Sequence, residues 1–313
     1  MKLLRKLSAL LCLLALLLPF ASCGTKQKAE GVSVVCTLFP QYDFARTILG
    51  ERGTVHLLIP PGMDAHSYEP TLSDLAAVRR ADLFIRVGGE TDAWSQKISP
   101  DGSASVSFAL LDVCPPLTEE LTEGMEEPEE EEEDCRVEYD EHVWTSPKNA
   151  QKIAARILKE LCELDPEGTE YFQKNFDSFS AELDKLDADF RSVVAEAEHD
   201  TIVFAERFPF RYLCDEYQIR YFAAFPGCSS QSEPSLATLS FLMNKIKEKH
   251  LPAVLKIEFS TGEIAARIAD ACGVRVLAMH SCHNLTAEEF NAGETYLTLM
   301  RKNLEVLREA LNG

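Results

Sequence analysis

From Pro166 to Glu198 there is no proline or glycine after Gly168, and Phe172, Phe176, Phe179, Leu183, Leu186, Phe190 and Val193 recur at alternating spacings of four and three. That rhythm puts all seven on one face of a single helix. At about 1.5 Å per residue such a helix runs roughly 45 to 50 Å, wider than one small domain. It is therefore expected to be a strut between two lobes. A coiled-coil dimer seam is the weaker reading, because the pattern stops at His199-Asp200, and a monomer is expected.

On either side of this helix the chain follows one grammar. Before it come strands at Val32 to Phe39, Val55 to Ile59, Ala81 to Val87 and Ser105 to Leu111, with helices at Pro40 to Gly50 and from Leu72. After it come strands at Thr201 to Ala205, Arg220 to Phe225, Ala253 to Phe259 and Val274 to Met279, separated by helices at Phe208 to Tyr217, Ser235 to Glu248 and Gly262 to Cys272, with a last helix from Glu294 to Leu311. Strands alternating with helices build mostly parallel sheets covered on both faces. The fold expected is α/β: two lobes with mostly parallel sheets, residues 32–165 and 199–313, joined by one interlobe helix, 166–198. With 313 residues, 46% of them hydrophobic, there is material for two cores.

Residues 1–23 read as a signal peptide: Lys2, Arg5 and Lys6 precede an apolar run from Leu10 to Leu18, and Ala21-Ser22 precede Cys23. A Cys after two small residues, followed by a polar linker over 24–31, resembles the lipobox of bacterial lipoproteins, with Phe20 where an aliphatic residue is usual. Lipidation at Cys23 would place the protein outside the cytoplasm, anchored to the cell membrane. The formal charge of −20 is concentrated in an acidic loop, 117–139. Residues 119–141 hold fourteen Asp or Glu against Arg136 alone. The run from Glu119 to Asp134 is expected to be disordered, solvated and dispensable for folding and binding, either aiding solubility or acting as a weak cation reservoir. No basic face exists for phosphate, so nucleic acid is excluded as a partner. Eight cysteines follow the leader, and none has zinc-finger spacing.

Two histidines stand on loops that lead into helices. His66 lies in Pro60-Pro61-Gly62-Met63-Asp64-Ala65-His66-Ser67-Tyr68-Glu69-Pro70-Thr71, held by its prolines at the end of a strand, where α/β proteins bind ligands. His142 lies in Asp140-Glu141-His142-Val143-Trp144-Thr145-Ser146-Pro147, where Ser146 can cap the next helix and Pro147 suits its first turn.

These segments, with "CSSQSEPS" at 228–235 and "GETYLTLMRKNLEVL" at 293–307, occur in an order that resembles the cluster A-I substrate-binding lipoproteins of zinc and manganese ABC transporters. The resemblance covers essentially the whole mature chain. It implies capture of a divalent metal between the lobes and delivery to a membrane permease, with no enzymatic activity. It also implies that His66 and His142 supply two metal ligands from the first lobe. The family's third ligand is usually a histidine after the first strand of the second lobe, where this chain has Ala205-Glu206-Arg207-Phe208. Alignment on Phe210 and Tyr212 puts Arg207 there, which cannot ligate a cation, so Glu206 is the candidate. A surface ion pair of Glu206 with Arg207 or Arg211 is the competing reading. The fourth is an acidic residue in the loop after the last strand; its counterpart here is His283, with His280 and Cys282 as alternatives.

Three His and one carboxylate suit zinc, whereas manganese calls for more oxygen ligands. The alternatives are a manganese or iron carrier of the same architecture, a carrier for a siderophore- or corrinoid-type chelate, and an exported zinc hydrolase with Glu69 or Glu141 as base. The chain has no HExxH motif.

Overall fold

The computed structural model describes residues 31–97, 106–126, 138–227, 229 and 233–313. The leader with Cys23, most of the acidic run, Cys135 and Cys228 lie outside the described residues. Two four-stranded sheets are present, and every strand pair is parallel. The first has the order β2-β1-β3-β4, formed by β1 (Val32–Cys36), β2 (Gly53–Leu57), β3 (Leu83–Arg86) and β4 (Val106–Ala109). The second has the order β6-β5-β7-β8, formed by β5 (Thr201–Arg207), β6 (Arg220–Phe225), β7 (Ala253–Ile257) and β8 (Arg275–Met279). In each sheet the chain moves to one side of its first strand and then returns to the other. That reversal leaves a crevice at the carboxyl ends of the strands.

Helices α1 (Phe39–Leu49), α2 (Leu72–Arg80) and α3 (Pro147–Leu164) belong to the first lobe. The interlobe helix is shorter than expected: Pro166–Gly168 forms a tight 3-10 turn, closed by Gly168 N–H donating to the Asp165 carbonyl at 3.0 Å, and α4 runs from Thr169 to Ala195. The second lobe has α5 (Arg211–Tyr217), α6 (Leu236–Glu248), α7 (Glu263–Cys272), α8 (Ala287–Ala292) and α9 (Tyr296–Asn312). Helix α8 falls in a stretch read from sequence as loop. Its start is set by a reciprocal capping box between Thr286 and Glu289, a Thr-x-x-Glu signature present in the sequence.

Six of the seven stripe residues of α4, all but Phe176, are buried. The helix packs on α1 and α3 from one lobe and on α5 and α9 from the other. One continuous apolar core thus includes residues of both sheets and of α4. A second cluster, with Val203, Phe225, Leu242, Ile246, Val254 and Ile268, fills the far face of the second sheet. The described cysteines, Cys36, Cys114, Cys162, Cys214, Cys272 and Cys282, are free thiols.

The expectation of a wholly solvated acidic loop is corrected for its first part. Thr118 and Tyr139 form an antiparallel bridge at its base, and the chain then crosses onto the second lobe. There Glu120 pairs with Arg211 at 2.7 Å, Glu126 N–H donates to the Ala224 carbonyl of β6 at 2.9 Å, and Met125 packs against the core. The sequence pattern hid this because the cations that neutralise the arm, Arg211 and Lys245, come from distant segments. Excising residues 119–126 is expected to destabilise the metal-free protein by about 1–3 kcal/mol, since each net hydrogen bond contributes on the order of 1 kcal/mol. Thermal melting would register a drop of several degrees.

Candidate metal centre

After β2, Gly62 at φ +89° turns the chain, a conformation that glycine adopts without steric cost. Asp64 caps the short 3-10 turn Ala65–Ser67 by accepting from His66 N–H at 2.9 Å. The second lobe clamps this loop from outside. Asn284 Nδ2 donates to the carbonyls of Pro60 (2.8 Å) and Met63 (2.9 Å), and Gly62 N–H donates to the Leu285 carbonyl (2.6 Å).

His142 is 1% exposed. Asp140 Oδ1 accepts from its backbone N–H at 2.8 Å and lies 3.2 Å from Nδ1, which leaves Nε2 available as a donor to a metal. Ser146 caps α3 as expected, accepting from Asn149 N–H at 3.2 Å, with Pro147 as the first helical residue. Beneath the ring, Trp144 Nε1 donates to the Ser281 carbonyl (2.8 Å), and Tyr296 Oη donates to the Trp144 carbonyl (2.6 Å), so the His142 loop is tied directly to the second lobe. Above it, a Cβ on Gly227 would stand 3.1 Å from Asp140 Oδ2 and 3.3 Å from His142 Cε1, so that position has room for little beyond glycine.

His283 follows β8 and is 9% exposed; its N–H donates to Ser281 Oγ at 3.2 Å. Its Nε2 is buried without a hydrogen-bond partner. The three imidazoles converge: ring centroids are 6.3 Å apart for His66 and His142, 5.0 Å for His66 and His283, and 5.1 Å for His142 and His283. One nitrogen of each lies within 4.8 Å of the others. Zn–N bonds of about 2.0–2.1 Å in a tetrahedron need N···N separations of roughly 3.3 Å, so a modest inward shift would close three nitrogens on one ion.

Electrostatics favours neutral rings at two of the three positions. Burial first, then the charges of His142 and Arg207, push His66 down to about 4 against the opposing pull of Asp64. Burial and the same cationic neighbourhood push His283 well below the ordinary imidazole value. For His142 burial is the largest influence and disfavours the charge, but the carboxylates of Asp140, Glu141 and Glu119 together outweigh it and hold the ring above its usual value. Asp140→Asn is expected to weaken metal binding by about 10–100-fold, since Asp140 fixes the tautomer and raises the basicity of the ligating nitrogen. Chelator competition at pH 7.5 measures it.

Glu206 is not brought to this cavity. Its carboxylate accepts from Ser260 Oγ and, at 3.4 Å, from Ile257 N–H. Successive side chains of a regular strand point to opposite faces, and β5 carries Glu206 and Arg207 in a stretch where its pairing with β6 is irregular. Into the cleft it sends Arg207, whose guanidinium pairs with Asp64 at 3.0 Å across the lobes. His280 and Cys282 also turn elsewhere. The His280 carbonyl accepts from Asn303 Nδ2 (2.7 Å), its Nδ1 accepts from Cys282 N–H (2.9 Å), and the Cys282 thiol is buried with burial raising its pKa.

Sequence reasoning missed Glu258, which also lines the cavity and accepts from Ser281 N–H at 2.7 Å and from Ser281 Oγ. Its place just after β7 was the available signal. The free space between the three imidazoles and the other lining residues is small, about 30 Å³.

Two parallel α/β lobes bridged by one long helix, with nitrogen donors from both lobes meeting in the crevice, describe a cleft-binding protein rather than an enzyme with a substrate channel. The chain belongs to the family described as zinc-uptake complex component A, periplasmic (ZnuA), which it matches over residues 34–310. It is 30% identical over 321 residues to the high-affinity zinc uptake system protein ZnuA of Bacillus subtilis, covering 98% of each chain. It is 29% identical to the zinc-binding lipoprotein AdcA of Streptococcus pneumoniae across 97% of its own length and 61% of that protein's. Among solved structures, the metal-dependent lipoprotein YcdH of Bacillus subtilis superposes with a TM-score of 0.76 at 28% identity, over 90% of this chain and 99% of that one. The Zn(II)-bound ZnuA-like domain of Streptococcus pneumoniae AdcA gives 0.73 at 27%, over 90% and 100%. The resemblance read from the motifs is thereby borne out, as is the two-lobed α/β fold. Family members are extracytoplasmic transport components, not enzymes.

Proposed function

We propose that this chain captures a single Zn²⁺ between its lobes through His66, His142 and His283 and hands it to an ABC permease. The observation that carries the reading is the convergence of three imidazoles, two from the first lobe and one from the second, within 4.8 Å. All three donors are nitrogens, which favours zinc over manganese. A hydrolase is disfavoured by the size of the cavity and by Glu141, whose buried carboxylate accepts from the N–H groups of Glu90 and Thr91. Titration with zinc at pH 7.5 should give one ion per chain, displaced by manganese only in large excess; no binding, or preference for manganese, would refute the assignment.

The protein acts as a monomer tethered to the outer face of the cytoplasmic membrane through a lipidated Cys23. The sequence around Cys23 supports this, and metabolic labelling with a fatty acid tests it. Wild-type protein should take up label and Cys23→Ala should not.

A further inference from the structure

Three histidines supply three of the four ligands that zinc takes in a closed site. Each carboxylate lining the cavity is engaged elsewhere. Glu258 accepts from Ser281 N–H at 2.7 Å and from Ser281 Oγ, while Asp64 accepts from His66 N–H at 2.9 Å and from Arg207 Nη2 at 3.0 Å. Arg207 itself lines the cavity with the three imidazoles, and among the described residues Asp64 is its one ion-pair partner, reached through a single nitrogen. A guanidinium presents five N–H donors in a planar fork that matches a planar oxyanion.

Resting on the zinc-capture reading, we infer that the fourth ligand is exogenous: a small planar oxyanion of the carboxylate or bicarbonate type, with one oxygen on the metal and hydrogen bonds from Arg207. The cavity of about 30 Å³ restricts the companion to the smallest members of that class. On this account Arg207 does not merely repel the cargo from the position where a ligand would otherwise stand. It holds the anion that completes the shell, and Asp64 orients the guanidinium from behind by tying it to the His66 loop. The captured species is then a metal–anion pair, and affinity depends on the anions present.

Zinc affinity by chelator competition at pH 7.5 and constant ionic strength, corrected for zinc–anion complexes in solution, tests this. Perchlorate as the sole anion is compared with added formate and, separately, bicarbonate. Wild type is expected to bind at least tenfold tighter with one of the two, and that arm identifies the source. Arg207→Gln should lose the gain, and Arg207→Lys, which keeps the charge without the fork, should lose most of it. In the Co²⁺-loaded protein the same anion should shift the visible absorption bands in wild type but not in Arg207→Gln. Unchanged wild-type affinity across the anions would overturn the inference and leave Arg207–Asp64 as a latch between lobes. Equal gains in wild type and Arg207→Gln would overturn it too, as would loss of zinc binding in perchlorate by Asp64→Asn, which would make Asp64 the fourth ligand. Failure of wild type to bind zinc in every buffer would instead remove the capture reading and this inference with it.

Discussion

His66→Ala, His142→Ala and His283→Ala are each expected to abolish most of the stabilisation that zinc confers, while Glu206→Ala leaves it intact. Binding confined to the folded state stabilises by about 4 kcal/mol at a thousandfold excess over the dissociation constant. Removing one of three nitrogen donors leaves two, too few to hold the ion against water, so the zinc-induced rise in melting temperature should nearly vanish. The variants should differ without metal. His142 is enclosed against Trp144 and hydrogen-bonded to Asp140, so its truncation opens a hole beside a buried carboxylate and lowers the metal-free melting temperature. His66 is partly exposed, and its loss should cost the metal-free protein little. Thermal melts of each variant with and without zinc separate the two effects. Wild-type zinc stabilisation in both His66→Ala and His142→Ala would refute the site.

Protons compete with zinc for the same nitrogens, and the three rings do not compete equally. His66, at about 4, and His283, well below its ordinary value, are already neutral near neutrality. His142 is held above its ordinary value by Asp140 and must lose a proton before Nε2 and Nδ1–H can serve metal and carboxylate together. Zinc affinity is therefore expected to be flat well above neutrality and to fall about tenfold per pH unit below the His142 pKa, with one proton released per ion. His66 adds to the slope only near pH 4, and His283 only well below the ordinary imidazole range. Calorimetric titration in buffers of different ionisation enthalpy counts that proton.

The metal-free protein has its own pH dependence, and the signs differ by residue. His66 and His283 have depressed folded values, so their contribution is present above the unfolded pKa of about 6.5 and is lost as pH falls through those depressed values, about 4 for His66. His142 has a raised value, so its contribution is present below about 6.5 and is lost as pH rises through its folded pKa. Acid should thus withdraw the contributions of His66 and His283 while leaving that of His142 in place.

Much of this molecule was legible in its sequence because the controlling signals are local. The apolar stripe from Phe172 to Val193 dictated a helix long enough to bridge two lobes, and alternating strand and helix patterns on either side dictated parallel sheets. Pro60, Pro61 and Gly62 marked the His66 loop, and Ser146-Pro147 marked the start of α3. The rest was decided by tertiary structure. Whether β5 turns Glu206 or Arg207 into the cleft depends on strand phase, which a bulge in the pairing with β6 between Phe204 and Arg207 disturbs. Choosing among His280, Cys282 and His283 required the path of the loop after β8, where Asn303 draws His280 away, Cys282 takes φ +60°, and His283 is left facing His66 and His142. The docking of residues 118–126 on the second lobe rests on Arg211, whose distance along the chain gives no local sign of contact. Periodicity reports the face of an element that is buried; only packing between distant elements reports which side chains meet across a cleft.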